Sequence, residues 1–177
     1  MIFGLFRKDP RRVMVAQFYE RVATASRHPD LYARLGTPDT IEGRFESLSL
    51  HVMLVLRGLR GRSPQADELA ADLTDALFRD LDAILREMGI GDTSVPKRMK
   101  KLGEAFYGRA QAYDGPLDAG DEAALAASLG RNVLGGGAPA AALARYALAA
   151  DRALKAQAFD SMVQDGPLFP PPAPFAE

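Results

Sequence analysis

The chain has 177 residues, 47% of them apolar and 25% charged, with a net charge of −1 and no cysteine. This is the composition of one ordinary globular unit. It excludes disulfides, thiolate metal sites and cysteine catalysis, and it supplies no global field toward nucleic acid or anionic membranes. The start, MIFGLFRKDPRR, carries charge too early for a secretory signal. The longest apolar run, Leu48 to Leu59, is broken by Ser49, His51, Arg57 and Gly58 and falls short of the roughly 20 residues a membrane span needs. A cytoplasmic protein is expected, with a peripheral place on the inner face of the cytoplasmic membrane as its closest approach to lipid.

Helical periodicity recurs along the chain and alternating strand patterns are absent. The expectation is an all-α, single-domain bundle of about five to seven helices. Its helical part should span residues 9–163, with an N-terminal extension over 1–8 and a proline-rich tail, extended or disordered, over 164–177. Asp9-Pro10 suits the start of a first helix to Ser26, since proline is tolerated at the first helical position. Val13, Val15, Phe18, Tyr19 and Val22 supply its apolar surface. Leu31 to Leu35 reads as a short helix stopped by Gly36.

Thr37-Pro38-Asp39 opens a second long helix in which Ile41, Phe45, Leu48, Val52, Leu56 and Leu59 form one stripe. Leu50, Met53, Leu54 and Val55 add apolar surface elsewhere on it, which places it at the centre of the bundle. Ser63 is set to cap the next helix, from Pro64 to Met88. Leu69, Leu73, Leu77, Leu81, Ile84 and Met88 make its inner face, and the pairs Asp75–Arg79 and Asp82–Arg86 stand four apart on its outer face. A further helix is expected from Ser94 to Tyr113, stopped by Gly115-Pro116. A short one follows from Asp121 to Val133, ended by Gly135 to Gly137, and an alanine-rich one from Pro139 to Val163.

No nucleophile motif or metal-ligand spacing stands out, and no cofactor is expected. The Gly135–Gly137 run lacks a following Lys-Ser/Thr, so it reads as a linker and not as a phosphate loop. The candidate partner-binding residues therefore lie in MGIGDTSVPKRMKKLGEAFYGRAQAYDGPL, from Met88 to Leu117. Lys97, Arg98, Lys100 and Lys101 form a basic cluster in the first turns of a helix, where the dipole mildly disfavours positive charge. Either an anionic partner or a solvated face accounts for them. Gly103 and Gly108 interrupt the same helix at about 1 kcal/mol each relative to alanine. Tyr107, Arg109 and Tyr113 are residue types enriched at binding hot spots and equally suited to a core edge.

Two polar residues fall at core positions. His51 sits in the most apolar helix, and with His28 as the only other histidine it reads as a satisfied core histidine. Asp80 interrupts the inner stripe of its helix and needs a partner, for which Arg98 and His51 are the candidates. A catalytic acid is the enzyme reading of Asp80, and a structural pair is the plainer one.

The block from Leu73 through Leu117, with its FRDLDAILREMGIGDTSVPKRMKKLGEAFYGRAQAYD core, resembles the ubiquinol–cytochrome c chaperone family. The upstream TIEGRFESLSLHVMLVLRGLRG and the later DEAALAASLGRNVLGG are similar as well, so the likeness covers roughly Asp39 to Gly136. The resemblance implies an all-α, non-enzymatic chaperone that binds newly made cytochrome b and supports assembly of ubiquinol–cytochrome c reductase. It also implies a place near the ribosome and a small partner chaperone, as for the mitochondrial members, and it brings no catalytic residues. The rival expectation is a helical module that binds nucleic acid or the ribosome through Lys97–Lys101. The same cluster, with Phe3, Leu5 and Phe6 beside Arg7 and Lys8, would suit an anionic membrane surface.

Overall fold

The computed structural model describes residues 9–136 and 140–176. The contact expected of Phe3, Leu5, Phe6, Arg7 and Lys8 lies outside the described residues, as do Gly137 and Pro139. Among the described residues every regular element is helical. Six helices have eleven residues or more: α1 (Pro10–Ser26), α3 (Ile41–Leu59), α4 (Pro64–Glu87), α5 (Val95–Ala119), α6 (Glu122–Asn132) and α7 (Ala141–Ala156). Two short ones, α2 (Pro29–Ala33) and α8 (Phe159–Asp165), and a final 3-10 turn at Ala173–Ala176 complete the set.

The starts follow the capping chemistry of the sequence. Asp9 Oδ1 accepts from the Arg11 amide at 3.0 Å and Pro10 takes the first helical position. Ser63 Oγ accepts from the Ala66 amide at 3.1 Å, opening α4. For α3 the expected start at Thr37 shifts: Thr40 is the cap, accepting from the Gly43 amide at 3.1 Å. Ile41 is left exposed in the first turn.

A helix that is apolar all round belongs inside, and α3 packs against α1, α4, α5 and α7. Leu50, Val52, Met53, Leu54, Val55 and Leu59 are all buried. On α4 the buried ladder is Leu69, Leu73, Leu77, Leu81 and Leu85, held by four-residue steps. Ile84 and Met88, expected on that inner face, are instead 37% and 49% exposed. Of the two outer pairs, Asp82–Arg86 closes at 2.7 Å. Arg79 instead sends its Nε to the backbone oxygen of Asp75 at 3.2 Å.

Two further boundaries differ from expectation. Pro116 does not stop α5, which continues to Ala119 and ends on Gly120 in the left-handed region at φ 64°. The extra turn is retained because Leu117 is buried and Asp118 is bonded to Arg57 on α3. The alanine-rich segment divides into α7 and α8 at Gln157 and Ala158, both extended. There Arg62 donates to the carbonyls of Leu154 at 2.6 Å, Lys155 at 2.8 Å and Gln157. A guanidinium on the last carbonyls satisfies the helix end and complements its dipole.

The expectation of a disordered tail is not supported. Residues after Gly166 are extended, yet they lie against the bundle. Gln157 grips the chain by donating to the Gly166 carbonyl at 2.8 Å and accepting from the Leu168 amide at 2.9 Å. The Phe169 ring stands 4.9 Å from His51 and the Phe175 ring 5.9 Å from Tyr146. Proline lowers the entropy lost on ordering such a segment, and the two aromatic rings provide apolar surface to bury.

Candidate functional site

The α4–α5 hairpin gathers most of the sequence candidates. Lys97, Arg98, Lys100 and Lys101 are all exposed on the first two turns of α5. Lys100 makes a loose pair with Glu104 at 3.8 Å, and Lys97, Arg98 and Lys101 have no acidic partner among the described residues. Tyr107 is 59% exposed one to two turns further on. It lies on the Lys100–Glu104 side of the helix, since residues separated by three or four positions are surface neighbours. Its ring is 5.4 Å from Phe106 and 6.3 Å from Phe78, so an aromatic cluster from α4 and α5 supports it.

The two glycines differ. A Cβ on Gly103 would meet the Phe78 ring at 3.8 Å, ordinary contact, so α4 packs over this position. A Cβ on Gly108 would meet nothing within 4 Å. Gly108 therefore adds a thin, open stretch beside Tyr107. At the other end of the hairpin the exposed Ile84 and Met88 add apolar surface near the turn into α5.

Arg109 and Tyr113 face away from this surface, toward the bundle. Arg109 donates to Glu46 on α3 at 2.5 Å and to its own helix at Ala105 O, 3.1 Å. Burial pushes the Glu46 carboxyl up, with the Arg109 charge opposing it. Tyr113 is buried, its hydroxyl lacks a hydrogen-bond partner, and burial raises its phenol to about 12.

The polar core candidates are both satisfied. A carbonyl can only accept, so the 2.7 Å contact of His51 Nδ1 with Ser47 O places the ring proton on Nδ1. Nε2 then accepts from the Tyr146 hydroxyl at 2.8 Å. Burial holds the imidazole down at about 4, so it is neutral near pH 7. Asp80 is not served by Arg98 or His51. Tyr19 on α1 donates its phenol to Asp80 Oδ2 at 2.6 Å, and burial together with that carboxylate drives the phenol well above its ordinary range.

One polar centre escaped the sequence reading. Arg57 on α3, its side chain only 4% exposed, donates to Asp151 on α7 at 2.7 Å, to Asp118 on α5 at 2.6 Å, and to Asp114 on α5. Burial opposes its charge, and the three aspartates outweigh burial and raise it. Lys155 reaches Asp151 at 2.9 Å and Asp118 at 3.5 Å, and Arg60 reaches Asp114 at 3.1 Å. The result is a three-helix ionic clamp. Asp114 and Asp118, four apart across Pro116, were the available signal, since such a pair suits one partner on one helix face.

Among the described residues, no three or more His, Asp or Glu side chains are grouped to hold a metal, and no helix is long and apolar enough to cross a membrane. The described residues form a helical frame that turns four cations and the Tyr107 ring outward on α5. The chain belongs to the ubiquinol–cytochrome C chaperone family, whose model matches residues 33–169. The match extends beyond Asp39–Gly136 at both ends and takes in the packed tail as far as Phe169. Among solved structures, the crystal structure of the Cbp3 homolog from Brucella abortus is similar, with 39% identity, a TM-score of 0.84 and coverage of 98% of each chain. No curated protein matches the sequence.

Proposed function

We propose that this protein is a non-enzymatic assembly chaperone that binds newly made cytochrome b and supports its incorporation into ubiquinol–cytochrome c reductase. The family match over residues 33–169 carries this reading. The client contact is assigned to the outer face of α5, where Lys97, Arg98 and Lys101 lack acidic partners and Tyr107 stands exposed on an aromatic base. Cations there would meet acidic client loops, and Tyr107 with the open strip at Gly108 would take an apolar side chain. Catalysis has no part in this reading, and binding alone shields client surface until assembly proceeds.

The test is affinity capture from cells that make the reductase. Cytochrome b should be enriched, and Lys97→Glu with Lys101→Glu and Tyr107→Ala should abolish the enrichment while leaving the fold intact. Enrichment no greater than for an unrelated helical protein would sink the proposal. The unpaired cations also favour a second reading, contact with ribosomal RNA. It predicts recovery of ribosomes that falls steeply with salt and vanishes after ribonuclease treatment.

A further inference from the structure

The stretch from Gln164 to Ala176 lies along α7 and is held as a bound peptide would be. The bonds that hold it are aimed at its backbone. Arg21 on α1 donates to the Gln164 carbonyl at 2.8 Å. Gln157, just after α7, donates to the Gly166 carbonyl at 2.8 Å and accepts from the Leu168 amide at 2.9 Å. Arg145 on α7 donates to the Phe175 carbonyl at 2.9 Å. The side-chain contacts come from two rings, Phe169 at 4.9 Å from His51 and Phe175 at 5.9 Å from Tyr146.

The spacing of these grips suits an extended, proline-rich segment. Gln157 and Arg145 stand about 18 Å apart along α7 at 1.5 Å per residue. The chain from Leu168 to Phe175 reaches about 22 Å as extended polyproline, and the 3-10 turn at Ala173–Ala176 shortens it toward that distance. Pro170, Pro171, Pro172 and Pro174 preset the extended form, so seating it costs little conformational freedom. The hold is light compared with that on the helices. Met162 of α8 is fully buried, whereas Leu168 is 58% exposed and both rings are only partly buried. Gly166, at φ 96°, turns the chain out of α8, and a Cβ there would fall 2.7 Å from Arg21 Cδ. Beyond that glycine the segment can lift as a unit while the helical core stays formed.

We propose that the tail is a displaceable strap, and that the cleft beneath it docks an extended, proline-spaced segment of a partner chain carrying two aromatic residues. The tail is the occupant seen in the cleft, so it defines the partner's chemistry: backbone for Gln157 and Arg145 to grip, and rings for His51 and Tyr146. Because the grip is on backbone atoms, another sequence with the same rings fits the same path. The strap also sets a threshold. A tethered tail competes at a roughly millimolar effective concentration, so a partner engages only when it binds better than the tail or when the tail has lifted. This goes beyond the cytochrome b reading and does not rest on it, because it uses α3 and α7 and none of the α5 residues.

The test uses the full chain and a fluorescent peptide that copies residues 164–177. The unaltered protein should bind it weakly. The full-length variant Phe169→Ser with Phe175→Ser, whose own tail has lost its rings, should bind it at least about tenfold more tightly. Adding Gln157→Ala to that variant should weaken the peptide about tenfold, since its two hydrogen bonds to the backbone are lost. A peptide with serine in place of both phenylalanines should not bind, and circular dichroism should show the helix content of the variants unchanged. Hydrogen exchange reads the strap in the unaltered protein. The Leu168 amide should exchange at least about a hundredfold faster than the amides of α3, and excess peptide should speed it further by displacing the tail. A Leu168 amide as slow as those of α3, exchange that ignores the peptide, or a ring-less variant that does not bind it would overturn the proposal. A dimer of the unaltered chain with its tails exchanged would overturn it too, by assigning the cleft to a second copy. Failure of the peptide leaves cytochrome b capture untouched, and loss of capture in the α5 variants leaves peptide binding untouched.

Discussion

Arg57→Leu should be among the most destabilising surface-remote substitutions in the protein. The guanidinium is nearly fully buried and is shared by Asp151, Asp118 and Asp114, which belong to α7 and α5 while Arg57 belongs to α3. Removing one partner of a buried ion pair costs about 3–5 kcal/mol, because the other charge is left without compensation. Here each aspartate keeps a second cation, Lys155 for Asp151 and Asp118 and Arg60 for Asp114. The loss should therefore sit near the lower end, about 3 kcal/mol. For a chain of this size that is a fall in Tm of roughly 6–12 °C, at about 2–4 °C per kcal/mol. Urea unfolding followed by far-ultraviolet circular dichroism measures it. Asp151→Leu should be similarly harmful, and the double variant Arg57→Leu/Asp151→Leu should lose clearly less than the two singles added, since both buried charges leave together. A loss under about 1 kcal/mol for Arg57→Leu, or strict additivity of the pair, would refute the claim that the clamp ties the three helices.

His51 makes stability depend on acid in a defined window. Its folded-state value of about 4 lies below the ordinary 6.5, so between these the unfolded chain binds a proton that the native chain refuses. Stability should fall as pH drops from about 6.5 toward 4, by about 3 kcal/mol at the acid end, and His51→Gln should flatten that slope in denaturant titrations run across pH. Gly108→Ala should stabilise α5 by roughly 0.5–1 kcal/mol, since its Cβ meets only open space, and a thermal shift reads this directly. Gly43→Ala should instead disrupt the start of α3, because its Cβ would fall 1.9 Å from Pro38 O, and circular dichroism should show lost helix and a lowered Tm. Truncation after Asp165 removes Phe169 and Phe175 from His51 and Tyr146, and it should raise binding of a hydrophobic dye and lower stability by a few kcal/mol.

What the sequence made legible is what local chemistry decides. Asp9-Pro10 and Ser63-Pro64 marked two helix starts to the residue, and the four-residue leucine ladder from Leu69 to Leu81 marked the buried side of α4. Local rules misled where a distant group decided. Pro116 is a helix breaker by its own chemistry, but Arg57, about sixty residues earlier, holds the turn beyond it through Asp118. The alanine-rich stretch has the propensity for one long helix, and Arg62 ends it from across the bundle. Asp80 announced its need for a partner, and only the fold could choose Tyr19 over Arg98 and His51. The tail's prolines pointed away from regular structure, and its two phenylalanines found ring partners no periodicity could reveal. Among the surface candidates, exposure separates Lys97, Arg98, Lys101 and Tyr107 from Arg109 and Tyr113. That separation requires knowing which side of α5 faces α3.

The net charge of −1 conceals an uneven distribution. The first turns of α5 carry four cations, three of them without an acidic partner among the described residues, while Asp72 and Asp82 on α4 are paired with Arg11 and Arg86, each at 2.7 Å. The cationic face of α5 rests on α4, whose leucine ladder fixes the hairpin to the core. Phe78 on α4 packs against Phe106 and Tyr107, so it supports the exposed tyrosine of that face. Phe78→Leu, which keeps an apolar side chain and removes the ring contacts, should weaken capture of the client at the α5 face, and capture equal to that of the unaltered protein would show that the ring does not support Tyr107.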